Sequence, residues 1–220
     1  MLLFTVSTGV IDADSYLGLD HVFTGNMTGN VLFIGFALAG VAGIPFVNNL
    51  LALLGFVVGT IVGGRIVGRG HARGFPTVSA ILLLVGGILA IAIATTWTIL
   101  GHLDQPILLV LTFLLASVMG SQVSAVKPIG NSDVTTIVVT NTLANLARDS
   151  RLAGGKYENW APRLLAVVAM GAGGALGALI IHFADGSIAL FSAVLFYAAG
   201  LLTLVLTSRL GQKTVGSAHI

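Results

Sequence analysis

An all-α membrane protein of about six transmembrane helices is the fold this sequence predicts, and three observations carry the prediction. Hydrophobic residues make up 56% of the chain and charged residues 8%, with a mean hydropathy of +1.02. A soluble domain carries about 25% charged residues. Six segments stay apolar over the roughly 20 residues that a helix needs to cross the hydrocarbon core. A few polar residues, led by Asp12 and Asp14, stand inside apolar sequence. There they belong in a bundle interior or a watery cavity.

The segments follow in order at 1–19, 48–69, 77–100, 105–127, 161–183 and 187–208. The first is read as a retained span: no basic residues precede it, and no small-residue cleavage pattern follows before Asp12. Two shorter apolar segments, 26–42 and 134–148, are studded with polar residues and follow Gly- and Asn-containing linkers. Residues 209–220 form a short polar tail, so 1–220 reads as a single membrane domain. With no Cys, disulfides and thiolate metal sites are excluded. The His residues lack ligand spacing, so no metal or cofactor is expected.

Basic residues orient the spans. Arg65, Arg69 and Arg73 place the loop near 70–76 in the cytoplasm, and Arg148, Arg151, Lys156 and Arg163 do the same for 148–163. Both ends of 128–160 then lie inside, so 134–148 should dip into the membrane and return. By the same logic 26–42 dips from the opposite face. Residues 1–100 and 105–208 share the order long, short, long, long. Gly9, Thr28–Asn30 and Gly55/Gly59/Gly63 correspond to Gly120, Thr140–Thr142 and Gly171/Gly174/Gly177. With three spans each, the halves are inverted repeats, a plan common in transporters. The alternative is eight crossings with parallel halves.

The polar residues suggest chemistry. Thr5, Thr8, Asp12, Ser15 and Tyr16 fall on one side of the first helix at 3–4 spacing and should face the bundle. Asp12 reads either as a cation or proton site or as a structural acid bonded nearby. Asp14 is about 200° away round the helix, so it should sit near the interface or at a subunit contact. The stretch FTGNMTGN, 23–30, holds Asn26, Thr28 and Asn30 where a short helix would start. Such a start aims free N–H groups into the membrane; the alternative is a capped turn with no ligand. The second half answers with Gln122, Asn131, Ser132, Asp133, Thr135, Thr136, Thr140 and Thr142. Two short-helix starts meeting from opposite faces would frame one central site. The glycine series read as close helix packing, with Gly55, Gly59 and Gly63 on one helix and Gly173 and Gly177 on another, and Trp97 and Tyr157 or Trp160 read as interface anchors.

The motifs G-V-I-D-A at 9–13, V-F-x-x-N-M-T-G-N at 22–30, M-G-S-Q at 119–122 and T-T-x-x-V-T-N-T-L at 135–143 span nearly the whole chain. With them the chain resembles the YoaK family of bacterial membrane proteins, a family of unknown function. Asp14 and Asn141 depart from the pattern of many relatives. The resemblance implies a bacterial inner-membrane protein of about six spans, and it supplies no substrate.

The function expected is therefore a permease or channel-like protein for a small solute or ion. Its substrate-binding residues would be Asp12, Asn26, Thr28, Asn30, Gln122, Thr140 and Thr142. A half-sized carrier working as a dimer, or a non-transporting membrane scaffold, are the alternatives. No enzyme is expected, since no nucleophile–base or metal–hydrolase pattern is present and the two acids point apart. The expected partners are the lipid bilayer, an unidentified small solute or ion and a candidate homodimer mate, with no nucleic acid.

Overall fold

The computed structural model describes residues 1–68, 77–128, 139–155 and 160–216. Eight α-helices follow in order among them: α1 (Leu2–Gly18), α2 (Met27–Leu38), α3 (Phe46–Val67), α4 (Thr77–Leu100), α5 (Gln105–Val126), α6 (Val139–Arg148), α7 (Trp160–Phe183) and α8 (Gly186–Gly216). Five of them, α3, α4, α5, α7 and α8 as far as Ser208, are long and apolar enough to cross a membrane. The first helix has 17 residues, about 26 Å at 1.5 Å per residue, and falls just short of that length. At 12 and 10 residues, α2 and α6 reach only about 18 and 15 Å, against a hydrocarbon core of about 30 Å.

The expected long segments match these helices to within two residues, except at the end of the last, where α8 runs on from 208 to Gly216. The first short segment ends earlier than expected, at Leu38 rather than 42, for a local reason. Gly40 takes φ +83°, and the Val41 N–H donates back to the Phe36 carbonyl while Gly40 N–H donates to Ala37. That is a glycine-terminated helix end. Residues up to 216, expected as a polar tail, continue α8 as helix. The expected basic loop residues Arg69, Arg73 and Lys156, and Asn131, Ser132, Asp133, Thr135 and Thr136, lie outside the described residues.

The helices pack in two groups. One group sets α1 against α7 and α8, and the other sets α5 against α3 and α4. Contacts between α4 and α8 join them, while α2 rests on α3 and α6 on α7. Close approach depends on missing side chains. A Cβ on Gly59 would collide with the Ser117 carbonyl, and one on Gly120 with that of Phe56. A Cβ on Gly173 would meet the Val6 carbonyl, and one on Gly9 that of Met170. Lipid tails are as apolar as Leu, so helices in a bilayer gain from such backbone proximity rather than from expelling water. Polar cross-links add to it: Ser7 Oγ donates to the Ala193 carbonyl at 2.8 Å and Ser124 Oγ to the Thr60 carbonyl at 2.9 Å.

Gly173 and Gly177 on α7 make the tight contacts, as their four-residue spacing predicts, and Gly174 lies against Gly9. Gly171, expected in that series, has nothing within 4 Å of its would-be Cβ. These contacts also give direction. Val6 pairs with Gly173 and Val10 with Gly177, so α1 and α7 run parallel. Phe113 pairs with Gly55 and Ser117 with Gly59, so α3 and α5 do too. Gly86 faces Tyr197 while Trp97 faces Gly186, which makes α4 and α8 antiparallel. Trp97 is not the interface anchor expected: it is 8% exposed and packs against Gly18 and Gly186, where glycine leaves space for an indole. Arg163, expected at a cytoplasmic helix end, is buried. Its Nη1 donates to Asp149 Oδ2 at 2.7 Å and to the Asn145 carbonyl at 3.3 Å, fastening α6 to α7. The Arg163 hydrogen bond, with Arg148 beside it, holds the Asp149 carboxyl below its ordinary range.

Gly59→Ala should lower stability by about 1–3 kcal/mol, the usual cost of overpacking. Gly171→Ala should leave stability unchanged or raise it, since alanine is the better helix former. Thermal unfolding of both variants in one detergent, read by circular dichroism, checks the contrast.

Candidate functional site

The polar stripe on α1 faces inward as its spacing requires: Thr5, Thr8, Asp12 and Ser15 are all at most 5% exposed. The stripe meets the chain segment that follows the helix. Asp20 and His21 take left-handed backbone angles, φ 64° and 55°, a region that Asp and His enter more readily than most side chains. The chain therefore turns back along α1 and lays residues 23–26 beside Asp12. Gly25 N–H donates to Asp12 Oδ1 at 2.7 Å. The backbone N–H groups of Thr24 and Asn26 face the same carboxylate, so it lies in a cradle of backbone donors. Its other oxygen, Oδ2, makes no hydrogen bond that meets geometric criteria. Any residue but glycine at 25 would put a Cβ about 3.1 Å from that carboxylate.

A groove of about 320 Å³ opens beside this cradle, lined by Gly9, Asp12, Tyr16, Phe23, Asn26 and Gly174 among others. Tyr16 stacks on Phe23 at 4.9 Å between ring centroids, and Phe23 on Phe33 at 6.2 Å, which gives the groove an aromatic wall. A second groove of about 520 Å³ lies between α6 and α7. Leu143, Leu146, Leu152, Trp160 and Leu164 line it, with Ser150 its one polar side chain in that lining, so it offers contact to apolar matter and little chemistry.

The expected site residues separate into three groups. Asp12 and Asn26 share the first groove. Gln122 reaches the same neighbourhood from α5: its Nε2 donates to Thr8 Oγ1 at 3.4 Å, one turn from Asp12, and its Oε1 is buried without a partner. Asn30 is near but committed elsewhere. Its Oδ1 accepts from Phe23 N–H at 3.0 Å and its Nδ2 donates to the Phe23 carbonyl at 2.6 Å, so the side chain locks the loop. Thr28 is exposed on α2 and Thr140 on α6, while Thr142 is buried on α6. The two short helices rest on different partners, α3 and α7, and the residues before α6 lie outside the described ones. Asn26 sits at the N-cap of α2 without a side-chain capping bond.

Sequence reasoning placed Tyr16 on the inward stripe but missed Phe23, a loop residue, as its stacking partner in the wall. It also missed the Thr8–Gln122 contact, which spans the two halves of the chain. Asp14 departs from expectation. It is not at an exposed subunit contact but 0% exposed inside the chain, near the end of α1 and beside Trp97, Gly18 and Gly186.

A model of the family described as "Protein of unknown function (DUF1275)" matches residues 1–206. The chain is also similar to a protein of Bacillus subtilis (strain 168), "UPF0700 transmembrane protein YoaK", with 31% identity over 147 residues. The alignment covers 67% of this chain and 64% of that protein, slightly under two thirds of its length. No solved structure matches.

The cradle separates two substitutions at one position. Asp12→Asn keeps an acceptor for Gly25 N–H and should preserve the loop. Asp12→Ala leaves that donor unpaired and should cost about 1–3 kcal/mol. Hydrogen exchange at residues 23–26, together with the melting temperature, measures the difference.

Proposed function

The chain belongs to the DUF1275 family of multi-pass membrane proteins, and from that premise we propose that it is a permease for a small solute or ion bound beside Asp12. The observation that carries this reading is an acidic oxygen, Asp12 Oδ2, without a hydrogen bond at a groove in an otherwise apolar body. A carboxylate kept inside a membrane protein is costly unless it serves a pathway. An ionised Asp12 accepts and does not donate. The solute class that fits therefore presents a positive charge or several N–H or O–H donors. Asn26 supplies amide hydrogen bonding at the mouth, and Tyr16 and Phe23 supply flat apolar contact. Gln122 Oε1, buried across the α1–α5 junction, is a second acceptor on the way through the bundle.

The topology proposed is six crossings in two inverted halves, in a bacterial inner membrane, and the packing supports it. Exchanging α1 with α5, α2 with α6, α3 with α7 and α4 with α8 maps the helix contacts onto themselves. The individual contacts follow. Gly9 meets Met170 as Gly120 meets Phe56, Val6 meets Gly173 as Ser117 meets Gly59, and Val10 meets Gly177 as Ser121 meets Gly63. The offset is 111 residues between α1 and α5 and 114 between α3 and α7 at every pair. Direction supports the crossing number. Gly18 and Trp97 lie together, so α1 and α4 finish at one level, which favours an α2 that does not cross. The antiparallel course of α4 and α8 favours the same for α6.

Two experiments test this. Purified protein in proteoliposomes should carry small organic cations or polyols down a gradient, and Asp12→Asn should reduce that flux at least tenfold while the fold is kept. Equal flux in both proteins would remove Asp12 from the pathway, and no flux for any cation, polyol or inorganic ion would favour a scaffold. Single cysteines at Arg73, Lys156 and Lys213 should react from the cytoplasmic side alone. Reaction of Lys156→Cys from outside would defeat the six-crossing reading.

A further inference from the structure

Asp14 stands apart from everything described for Asp12. It is 0% exposed, and neither carboxylate oxygen has a hydrogen-bond partner. Its surroundings come from three helices at the end of the bundle where α1 and α4 finish and α8 begins. A Cβ on Gly186 would lie 2.9 Å from Asp14 Oδ1 and 2.5 Å from Trp97 Cη2, and a Cβ on Gly18 would lie 2.7 Å from the same indole carbon. The walls are two glycines and an aromatic ring, with no space for a hydrated cation.

An anion here could have been held by the first turn of α8, since a helix start offers free N–H groups. Asp185 has taken that place. Its Oδ1 accepts from Ser187 Oγ at 2.6 Å and from Ile188 N–H at 3.3 Å, bonds that hold its own carboxyl below the ordinary range, the Ser187 bond most of all. Asp185 stands one residue before Gly186, which lies against Asp14, and it carries the same sign of charge. The other neighbours, Trp97 from α4 and Gly18 from α1, do not titrate. Among the described residues no Lys, Arg or His forms an ion pair with Asp14, and no cluster could hold a metal.

The geometry points to a proton-binding site: Asp14 is held as a neutral carboxylic acid between α1, α4 and α8, and the ligand it takes is the proton. A buried carboxylate without donors is unstable next to its protonated form. A metal ion would need several more oxygen ligands, and the nearby carboxylate is occupied in capping α8. The proton comes from water and adds to one carboxylate oxygen, with no other bond changed. The site does not depend on the permease reading.

Infrared difference spectroscopy of the full chain in lipid tests it. At neutral pH the protein should show the C=O stretch of a protonated carboxylic acid, shifted in heavy water. Asp14→Asn should lose a band that Asp12→Asn and Asp185→Asn both keep. Spectra of native protein and Asp14→Asn that coincide in this region would mean that Asp14 is ionised, and would overturn the proposal. Should Asp14→Asn fail to fold, a chain with isotope-labelled aspartate carboxyls and Asp12→Asn plus Asp133→Asn decides the matter. A protonated aspartate band there supports the site, and its absence sinks it.

Discussion

Everything in this protein depends on how closely two pairs of parallel helices approach one another. α1 lies on α7, and α5 on α3, at distances only glycine permits. In water such contacts would be one contribution among many, with burial of apolar surface leading. In a bilayer that term is absent between helices, and backbone proximity with a few hydroxyl cross-links must supply the cohesion. The glycine contacts also fix the rotation of α1. With Gly9 against α7, Ser7 is turned to α8, the Asp12 side to the returning loop and Asp14 to Trp97. The placement of both acids thus follows from glycines that carry no chemistry.

Two carboxylates two residues apart meet opposite surroundings. Asp12 lies against a loop whose backbone N–H groups converge on it, made possible by Gly25 and by the left-handed turn at Asp20 and His21. Asp14 lies against glycine hydrogens and an indole, and the nearest helix start is already capped by Asp185. The same residue type is therefore an anchored acceptor in one place and an unsupported acid in the other. Environment rather than identity decides what each can do.

Much of the architecture was legible in the sequence. Long apolar runs gave the helices at nearly their observed bounds, because in a membrane length and hydropathy are close to sufficient. The stripe through Thr5, Thr8 and Asp12 was legible for a similar reason: polar groups on an apolar helix have only the interior to face. The packing pair Gly173 and Gly177 on α7 was legible from its four-residue spacing, whereas Gly171, matched to the first-half series by offset, makes no contact. Trp97 misled because interface tryptophans are common, and nothing local reveals that Gly18 and Gly186 open a slot for it. Asn30 and Thr28 look alike in the motif, yet one is committed to Phe23 and the other is exposed. Which polar side chain the loop would consume is a question of three-dimensional fit.

The offset of 111 residues that relates α1 to α5 has one more implication. Carried along the helix, it places Val123 opposite Asp12 and Ala125 opposite Asp14. The helix contacts repeat, but the acids do not. At these positions ionisable side chains stand on α1 and apolar ones on α5, so matched packing encloses an unevenly polar interior.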